Sequence, residues 1–143
     1  MRETYNTWIQ TCLSNYSIDG LRIDSVKNVE IEFWAGFQPS AGIYTVGEVS
    51  DGRVDYACPY QVSLDGILKF PQYFQLIYFF NGTQPTSTNL VNLIQAVNTS
   101  CKDPTLMAPF SENHDQPRFA NQTDDKSLAE NVAAFTILAD GIQ

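Results

Sequence analysis

The amino-acid sequence predicts an α/β fold in which about four parallel strands alternate with helices. Short apolar stretches rich in β-branched and aromatic residues recur along the 143 residues, and segments with helical spacing of apolar residues separate them. Such alternation is typical of a parallel sheet covered by helices. A complete (β/α)8 barrel typically takes about 250 residues, so four strands make half of one. We therefore expect 1–143 to be a single segment of a partial (β/α)8 barrel domain, truncated at both ends.

The predicted elements follow one another with one long loop. In the first helix, residues Tyr5, Trp8, Ile9, Cys12 and Leu13 recur at helical spacing. The predictions in chain order are a helix at 3–15, a strand at 21–23, a helix from 26 to about 39–42, a strand at 43–49, a polar loop at 50–64, a strand at 67–70, a helix at 71–80, a turn-rich connection at 81–88, a helix around 90–97, a strand at 105–110 and a helix at 127–139. Residues 140–143 resemble the entry to a further strand.

The composition excludes several classes of partner. The net charge of −8 argues against nucleic acid, whose phosphates require a basic surface, and against anionic membrane surfaces. No apolar run approaches the roughly 20 residues of a membrane span. The three cysteines form no CxxC pair and the chain has one histidine, so a zinc site is not expected.

The first candidate site lies at the end of the strand at 21–23. Arg22 and Asp24 are two residues apart on a strand, so their side chains share a face. An adjacent guanidinium lowers the pKa of a carboxyl group, which suits a nucleophile. From this spacing alone, a buried pair that only holds the strand end is an equally good interpretation.

Two further strand ends carry acids. Glu48 follows Gly47, where a glycine allows a bend or a close approach of substrate; a protonated Glu48 could donate to a leaving oxygen. Taken alone, the Gly-Glu-Val pattern favours a solvated glutamate at the strand end. His114 and Asp115 follow the last predicted strand, and a lone histidine is more often structural than catalytic. Glu112, just before them, is expected to be structural or exposed at the rim.

Three motifs together resemble the α-amylase family of glycoside hydrolases, and the similarity is closest to the secreted fungal α-amylases. They are residues 19–24 (DGLRID) with Lys27 downstream, 47–49 (GEV), and 110–115 (FSENHD) followed by 117–119 (PRF). The resemblance covers nearly the whole chain. It implies roughly the fourth to seventh βα units of the catalytic barrel.

The resemblance also implies residue roles. Asp24 would be the nucleophile and Glu48 the acid/base of a retaining mechanism, with their carboxyl groups about 5–5.5 Å apart. Asp115 would stabilise the transition state. Arg22, Lys27 and His114 would bind substrate, and the backbone carbonyl of Asn28 would contact a calcium ion, a cofactor whose other ligands lie mostly outside this chain.

The same resemblance bears on the cysteines and the cell compartment. Cys58 and Cys101 align with a disulfide pair of the fungal enzymes, whereas Cys12 is expected to be a buried free thiol. The parent protein would be secreted, although the chain begins without a signal peptide.

The function implied is endo-acting hydrolysis of α-1,4-glucosidic bonds in starch or glycogen, with an α-glucan as partner and neither nucleic acid nor membrane. A transglycosylase of the same family shares these motifs. A second class of function is a non-catalytic glucan-binding fragment, or a half-barrel that associates with itself through exposed edges. For the isolated chain we expect low stability and weak or absent hydrolysis.

Overall fold

The structure is a computed structural model that describes residues 1–142. Three parallel strands form its sheet in the order β1-β2-β3: Gly20–Ile23 (β1), Tyr44–Gly47 (β2) and Gly66–Ile67 (β3). Ile23 lies opposite Gly47, which in turn lies opposite Ile67. The parallel sheet with helices between its strands confirms the predicted partial barrel.

The fourth predicted strand, at 105–110, is reduced to a single parallel bridge between Leu68 and Ala108. Residues Pro104–Leu106 form a 3-10 turn instead, and the side chain of Asp103 caps it by accepting from the Thr105 amide. Pro104 and Pro109 also lack the amide protons that a longer ladder needs. The strand at 67–70 is likewise shorter than expected, because a helix already begins at Phe70.

Residues 1–142 contain six helices. They are Arg2–Asn15 (α1), Ile31–Ala41 (α2), Val54–Ala57 (α3), Phe70–Phe80 (α4), Ser87–Ser100 (α5) and Lys126–Leu138 (α6). Local signals explain several ends: Gly42 closes α2 with a φ of 64°, a conformation that glycine adopts readily, and Asp125 caps α6 by accepting from the Ser127 amide. No helix in 1–142 is both long enough and apolar enough to cross a bilayer.

Two predicted boundaries were wrong. The helix predicted from 26 begins only at Ile31, because Val26–Asn28 forms a separate 3-10 turn. The loop predicted at 50–64 contains α3 and a 3-10 turn at Cys58–Val62. Of the predicted strand entry at 140–143, Gln143 lies outside the described residues, and the Ile142 amide donates to the carbonyl of Met107 over 2.9 Å.

The core consists of two clusters of buried side chains. One surrounds the sheet and includes Val26, Trp34, Ile67 and Met107. The other lies between α4, α5 and α6 and is centred on Phe70, Leu76, Phe119 and Val132. The indole of Trp34 donates to the carbonyl of Val26 over 3.2 Å, so α2 is anchored to the turn that follows β1.

The cysteines are arranged largely as expected. A disulfide joins Cys58 and Cys101 and links the turn after α3 to the end of α5, which confirms the predicted pair. Cys12 is free, but it is half-buried rather than buried. Ile9 is the one buried residue of α1, and Tyr5 and Trp8 of the same helix are substantially exposed, so this helix covers its apolar face only in part.

Candidate active site

Asp24 and Glu48 meet at one edge of the sheet. Each directly follows the last residue of a strand, and those last residues, Ile23 and Gly47, lie opposite one another in the parallel register. The carboxyl ends of parallel barrel strands form the face where barrel enzymes carry their active sites. The backbone therefore delivers both carboxylates to the expected position.

Arg22 bridges the two carboxylates. Its Nη1 donates to Oδ1 of Asp24 over 2.6 Å and its Nη2 donates to Oε2 of Glu48 over 3.1 Å. The sequence predicted the first contact and missed the second. The interpretation of a buried pair fails, because the Asp24 side chain is 67% exposed, in contrast to 10% for Glu48.

The neighbours of Asp24 favour its ionised form. Hydrogen bonding with the carboxyl group of Glu48, followed by that with Arg22, lowers the pKa of Asp24, and the charge of His114 contributes in the same direction. The shared contact with Arg22 keeps the two carboxylates close together, and a separation of about 5–5.5 Å, as in a retaining site, stays a prediction.

Glu48 is held by β1 and by the turn that follows it. Its carboxylate Oε2 accepts from the backbone amide of Ser25 over 3.0 Å. Its own amide donates to the Ile23 carbonyl over 2.8 Å, and its carbonyl accepts from the Val26 amide over 3.0 Å. The buried acid therefore has one fixed orientation, with its carboxylate beside Arg22 and Asp24.

The third motif lies in a loop beyond the bridge at Ala108, not at the end of a strand. His114 and Asp115 are exposed, and Nε2 of His114 lies 3.2 Å from Oδ2 of Asp115. The Asp115 amide donates to Oδ1 of Asn113 over 2.9 Å, which forms a tight local turn. Because the bridge between Leu68 and Ala108 is parallel, the loop that follows Ala108 leaves the sheet at the same carboxyl edge as β1, β2 and β3.

Glu112 anchors that loop. It accepts from Nη1 of Arg118 over 2.8 Å and from the amide of Phe119 over 2.9 Å, and these two contacts lower its pKa. Phe119 is itself buried in the second core cluster. The sequence predicted a structural or rim role for Glu112, and the observed contacts are structural.

Lys27 reaches from the turn after β1 to the loop after β2. Its Nζ donates to the carbonyl of Ser50 over 2.6 Å. In the same loop, Arg53 makes two hydrogen bonds to Asp51 through its Nε and Nη2 atoms. These bonds lower the pKa of Asp51 to about 2. The Asp51–Arg53 pair stiffens the loop that receives Lys27.

The structure gives a different reason for a glycine at position 47 from the one predicted. A Cβ atom at this position would lie 2.5 Å from Cδ1 of Leu64 and 3.0 Å from Cγ2 of Val26. The absence of a side chain at Gly47 therefore leaves room for the core under the site. A side chain here would point toward Leu64 and not toward a substrate.

Calcium does not fit the described residues as a self-contained site. Calcium takes six to eight oxygen ligands, carboxylates prominent among them, and residues 1–142 contain no cluster of three His, Cys, Asp or Glu side chains suited to a metal. Asn28 is exposed at the end of the Val26–Asn28 turn. A calcium contact at this residue would need ligands from elsewhere.

Two adjacent carboxylates at the carboxyl edge of parallel barrel strands are typical of the glycoside hydrolase class. The family profile "Alpha amylase, catalytic domain" matches residues 1–143. The chain belongs to that family.

Individual relatives agree with this assignment. Alpha-amylase 1 of Lipomyces kononenkoae is 49% identical over 142 residues, which cover 99% of this chain and 23% of that protein. Alpha-amylase 2 of Schwanniomyces occidentalis is 46% identical over 138 residues, 96% of this chain and 27% of its own length. The chain thus spans about a quarter of the length of these relatives.

Solved structures show the same fold. An α-amylase from Malbranchea cinnamomea superposes with a TM-score of 0.95 at 50% identity and covers 99% of this chain and 30% of its own. An Anoxybacillus α-amylase superposes with a TM-score of 0.90 at 22% identity, over 99% of this chain and 34% of its own; at that identity the likeness concerns the fold alone.

Proposed function

We propose that this chain supplies the catalytic carboxylates for endo-acting, retaining hydrolysis of α-1,4-glucosidic bonds in starch or glycogen. The single observation that carries the proposal is the bridge that Arg22 makes between Asp24 and Glu48. It keeps the two acids adjacent, as a double-displacement mechanism requires. Relatives named α-amylase at 44–49% identity support the substrate class.

The mechanism assigns one role to each acid. Asp24, whose lowered pKa keeps it ionised, attacks the anomeric carbon while a protonated Glu48 donates its proton to the glycosidic oxygen. The bond to the leaving sugar breaks and a covalent glycosyl ester forms on Asp24. Glu48, now a carboxylate, takes a proton from water, which attacks the ester and restores both groups.

The neighbouring side chains bind the substrate. Asp115 and His114 are exposed and would hydrogen-bond the hydroxyls of the sugar under attack, with Asp115 strengthening its contacts in the transition state. Lys27, whose ammonium lies across the rim at Ser50, would contact the leaving part of the glucan. Arg22 would hold Asp24 in its ionised, attacking orientation.

Calcium and secretion belong to the same proposal for the parent protein. The Asn28 carbonyl would serve as one calcium ligand, with the remaining ligands from outside 1–142. The Cys58–Cys101 disulfide is compatible with an oxidising compartment, as expected for a secreted enzyme.

The test measures reducing-sugar release from soluble starch by the purified chain and by three variants. Asp24→Asn and Glu48→Gln should each abolish whatever release the unmodified chain shows. Asp124→Asn, an equivalent change at an exposed acid in the loop before α6, should leave it unchanged. Sugar release by the unmodified chain that persists in Asp24→Asn would contradict the proposal.

A second candidate is a glucan-binding half-barrel that associates with itself. It is favoured by β1, which lies at the end of the sheet order, and by a cavity of about 530 Å³ beside it lined by Tyr5, Trp8, Ile23 and Phe33. Sedimentation should then show a dimer that binds maltooligosaccharides without cleaving them. A glucanotransferase remains a further alternative, distinguished by transfer of sugar to an added maltose acceptor.

A further inference from the structure

Ser25 adopts an unusual backbone conformation in the middle of the site. Its φ of 51° and ψ of 37° lie in the left-handed region. Among residues 1–142, Ser25 is the single non-glycine residue with a positive φ. Side chains other than glycine adopt this region at a cost, and such conformations persist where the surrounding structure enforces them.

The side chain of Ser25 does not account for the conformation. Ser25 is exposed, and its hydroxyl makes no hydrogen bond to any residue in 1–142. A glycine in this position would be relaxed. The left-handed conformation of Ser25 is therefore explained by the direction in which it points the backbone amide.

That direction brings the Ser25 amide onto the carboxylate of Glu48. The N–H donates to Oε2 over 3.0 Å, and the same oxygen accepts from Arg22 over 3.1 Å. The next amide, that of Val26, donates to the Glu48 carbonyl over 3.0 Å. One short turn therefore fixes both the backbone and the side chain of this acid.

We propose that Ser25 is a positioning residue, whose left-handed turn aims its amide at the Glu48 carboxylate and prevents that group from rotating away from Asp24. The turn follows Asp24 directly in the chain, so the position of one acid is mechanically coupled to that of the other. The catalytic meaning of this clamp rests on the proposed function, whereas the clamp itself is a property of the free chain.

The experiment measures hydrogen exchange of the residue-25 amide by NMR in the ¹⁵N-labelled chain, corrected for intrinsic rates. An intramolecular hydrogen bond contributes about 1 kcal/mol, so its loss in Glu48→Ala should accelerate exchange by about fivefold. Ser25→Gly, which retains the left-handed turn, should keep the protection. Ser25→Val should lose it, because a β-branched residue resists positive φ.

Two matched controls separate the clamp from general loosening. Ser63→Val makes the same change at a residue with φ of −106°, and Asp124→Ala removes an exposed acid in the loop before α6. Neither should alter exchange at residue 25. If Ser25→Val does not fold, the comparison of the unmodified chain with Glu48→Ala decides.

Unchanged exchange in Glu48→Ala, or acceleration in Ser25→Gly equal to that in Ser25→Val, would overturn the proposal. These readouts need no substrate, so a failure of the proposed hydrolysis leaves them intact. Where sugar release is measurable, Ser25→Val should lower kcat by up to about a hundredfold, the scale expected for a small misplacement of a catalytic group. KM should change little. Ser25→Gly should keep the kcat of the unmodified chain.

Discussion

The guanidinium of Arg22 lies 2.6 Å from Oδ1 of Asp24, and its other terminal nitrogen holds Glu48. This contact makes the electrostatic state of the exposed acid depend on a residue two positions earlier on the same strand. Replacement of the arginine by a neutral side chain of similar length is therefore informative.

In Arg22→Gln, the pKa of Asp24 should rise from its lowered value toward the ordinary range, because the donor and the positive charge are both lost. Hydrogen bonding with Glu48 is the larger cause of the lowering, so the rise should be partial, and Glu48→Ala should raise the pKa further. A ¹³C NMR titration of the Asp24 carboxyl measures both. An Asp24 pKa that is the same in all three proteins would contradict the account.

Removal of Arg53 should change how the stability of the chain depends on pH. The folded-state pKa of Asp51, about 2, lies below its ordinary value of 3.8, mainly because of hydrogen bonds with Arg53. A lowered pKa in the folded state adds stability above pH 4, and this contribution disappears as the pH falls toward 2. Arg53→Gln should therefore flatten the loss of stability between these values.

Urea unfolding at several pH values measures this effect. Arg118→Gln is the matched control, because Arg118 pairs with Glu112 and not with Asp51. It should leave the carboxyl titration of Asp51 unchanged, whereas Arg53→Gln should move that titration toward 3.8. A low Asp51 pKa that persists in Arg53→Gln would show that the arginine is not its cause.

The disulfide should contribute strongly to stability. Cys58 and Cys101 are 43 positions apart in sequence, and closure of a loop of this size is worth about 2–4 kcal/mol. Reduction, or the double change to serine, should lower the free energy of unfolding by that amount in urea titrations. Cys12→Ser, at the free and half-buried thiol, should change it by about 1 kcal/mol or less. Equal effects of the two changes would be inconsistent with this structure.

Glycines in the sheet and in a helix should respond oppositely to alanine. A Cβ at Gly66 would collide with the carbonyl oxygen of Leu106 and lie 2.5 Å from the hydroxyl of Tyr44, so Gly66→Ala should destabilise the chain by about 1–3 kcal/mol. Gly36 lies inside α2, and a Cβ there would meet Nδ2 of Asn6 at 3.9 Å, an ordinary contact, so Gly36→Ala should stabilise by about 0.5–1 kcal/mol. A melting curve for each variant measures the sign, and a harmless Gly66→Ala would refute the packing described here.

The sequence predicted the alternation of strands and helices because each element carries its own periodicity. It overestimated the strand at 105–110, where the Asp103 cap and the flanking prolines act against the apolar pattern. It also missed α3, because a single helical turn within a polar stretch leaves no periodic signal.

The candidate site was predictable as three motifs and one charge pair, although the third motif lies in a loop and not at a strand end. The second contact of Arg22, to Glu48, was not predictable from spacing, since it joins residues 26 positions apart. The left-handed turn at Ser25 was equally unpredictable, because a serine in the sequence does not indicate a positive φ as a glycine does. Both depend on the register between β1 and β2, which appears only once the sheet is assembled.

The central claim is that Asp24 is the nucleophile beside a fixed acid/base. Incubation of the folded chain with a slow fluorinated α-glucosyl fluoride, followed by proteolysis and mass spectrometry, tests it most directly. The account predicts one glucosyl ester, located on Asp24 and absent from Asp24→Asn. A label on Glu48 or Asp115 in place of Asp24, or a label that persists in Asp24→Asn, would contradict it.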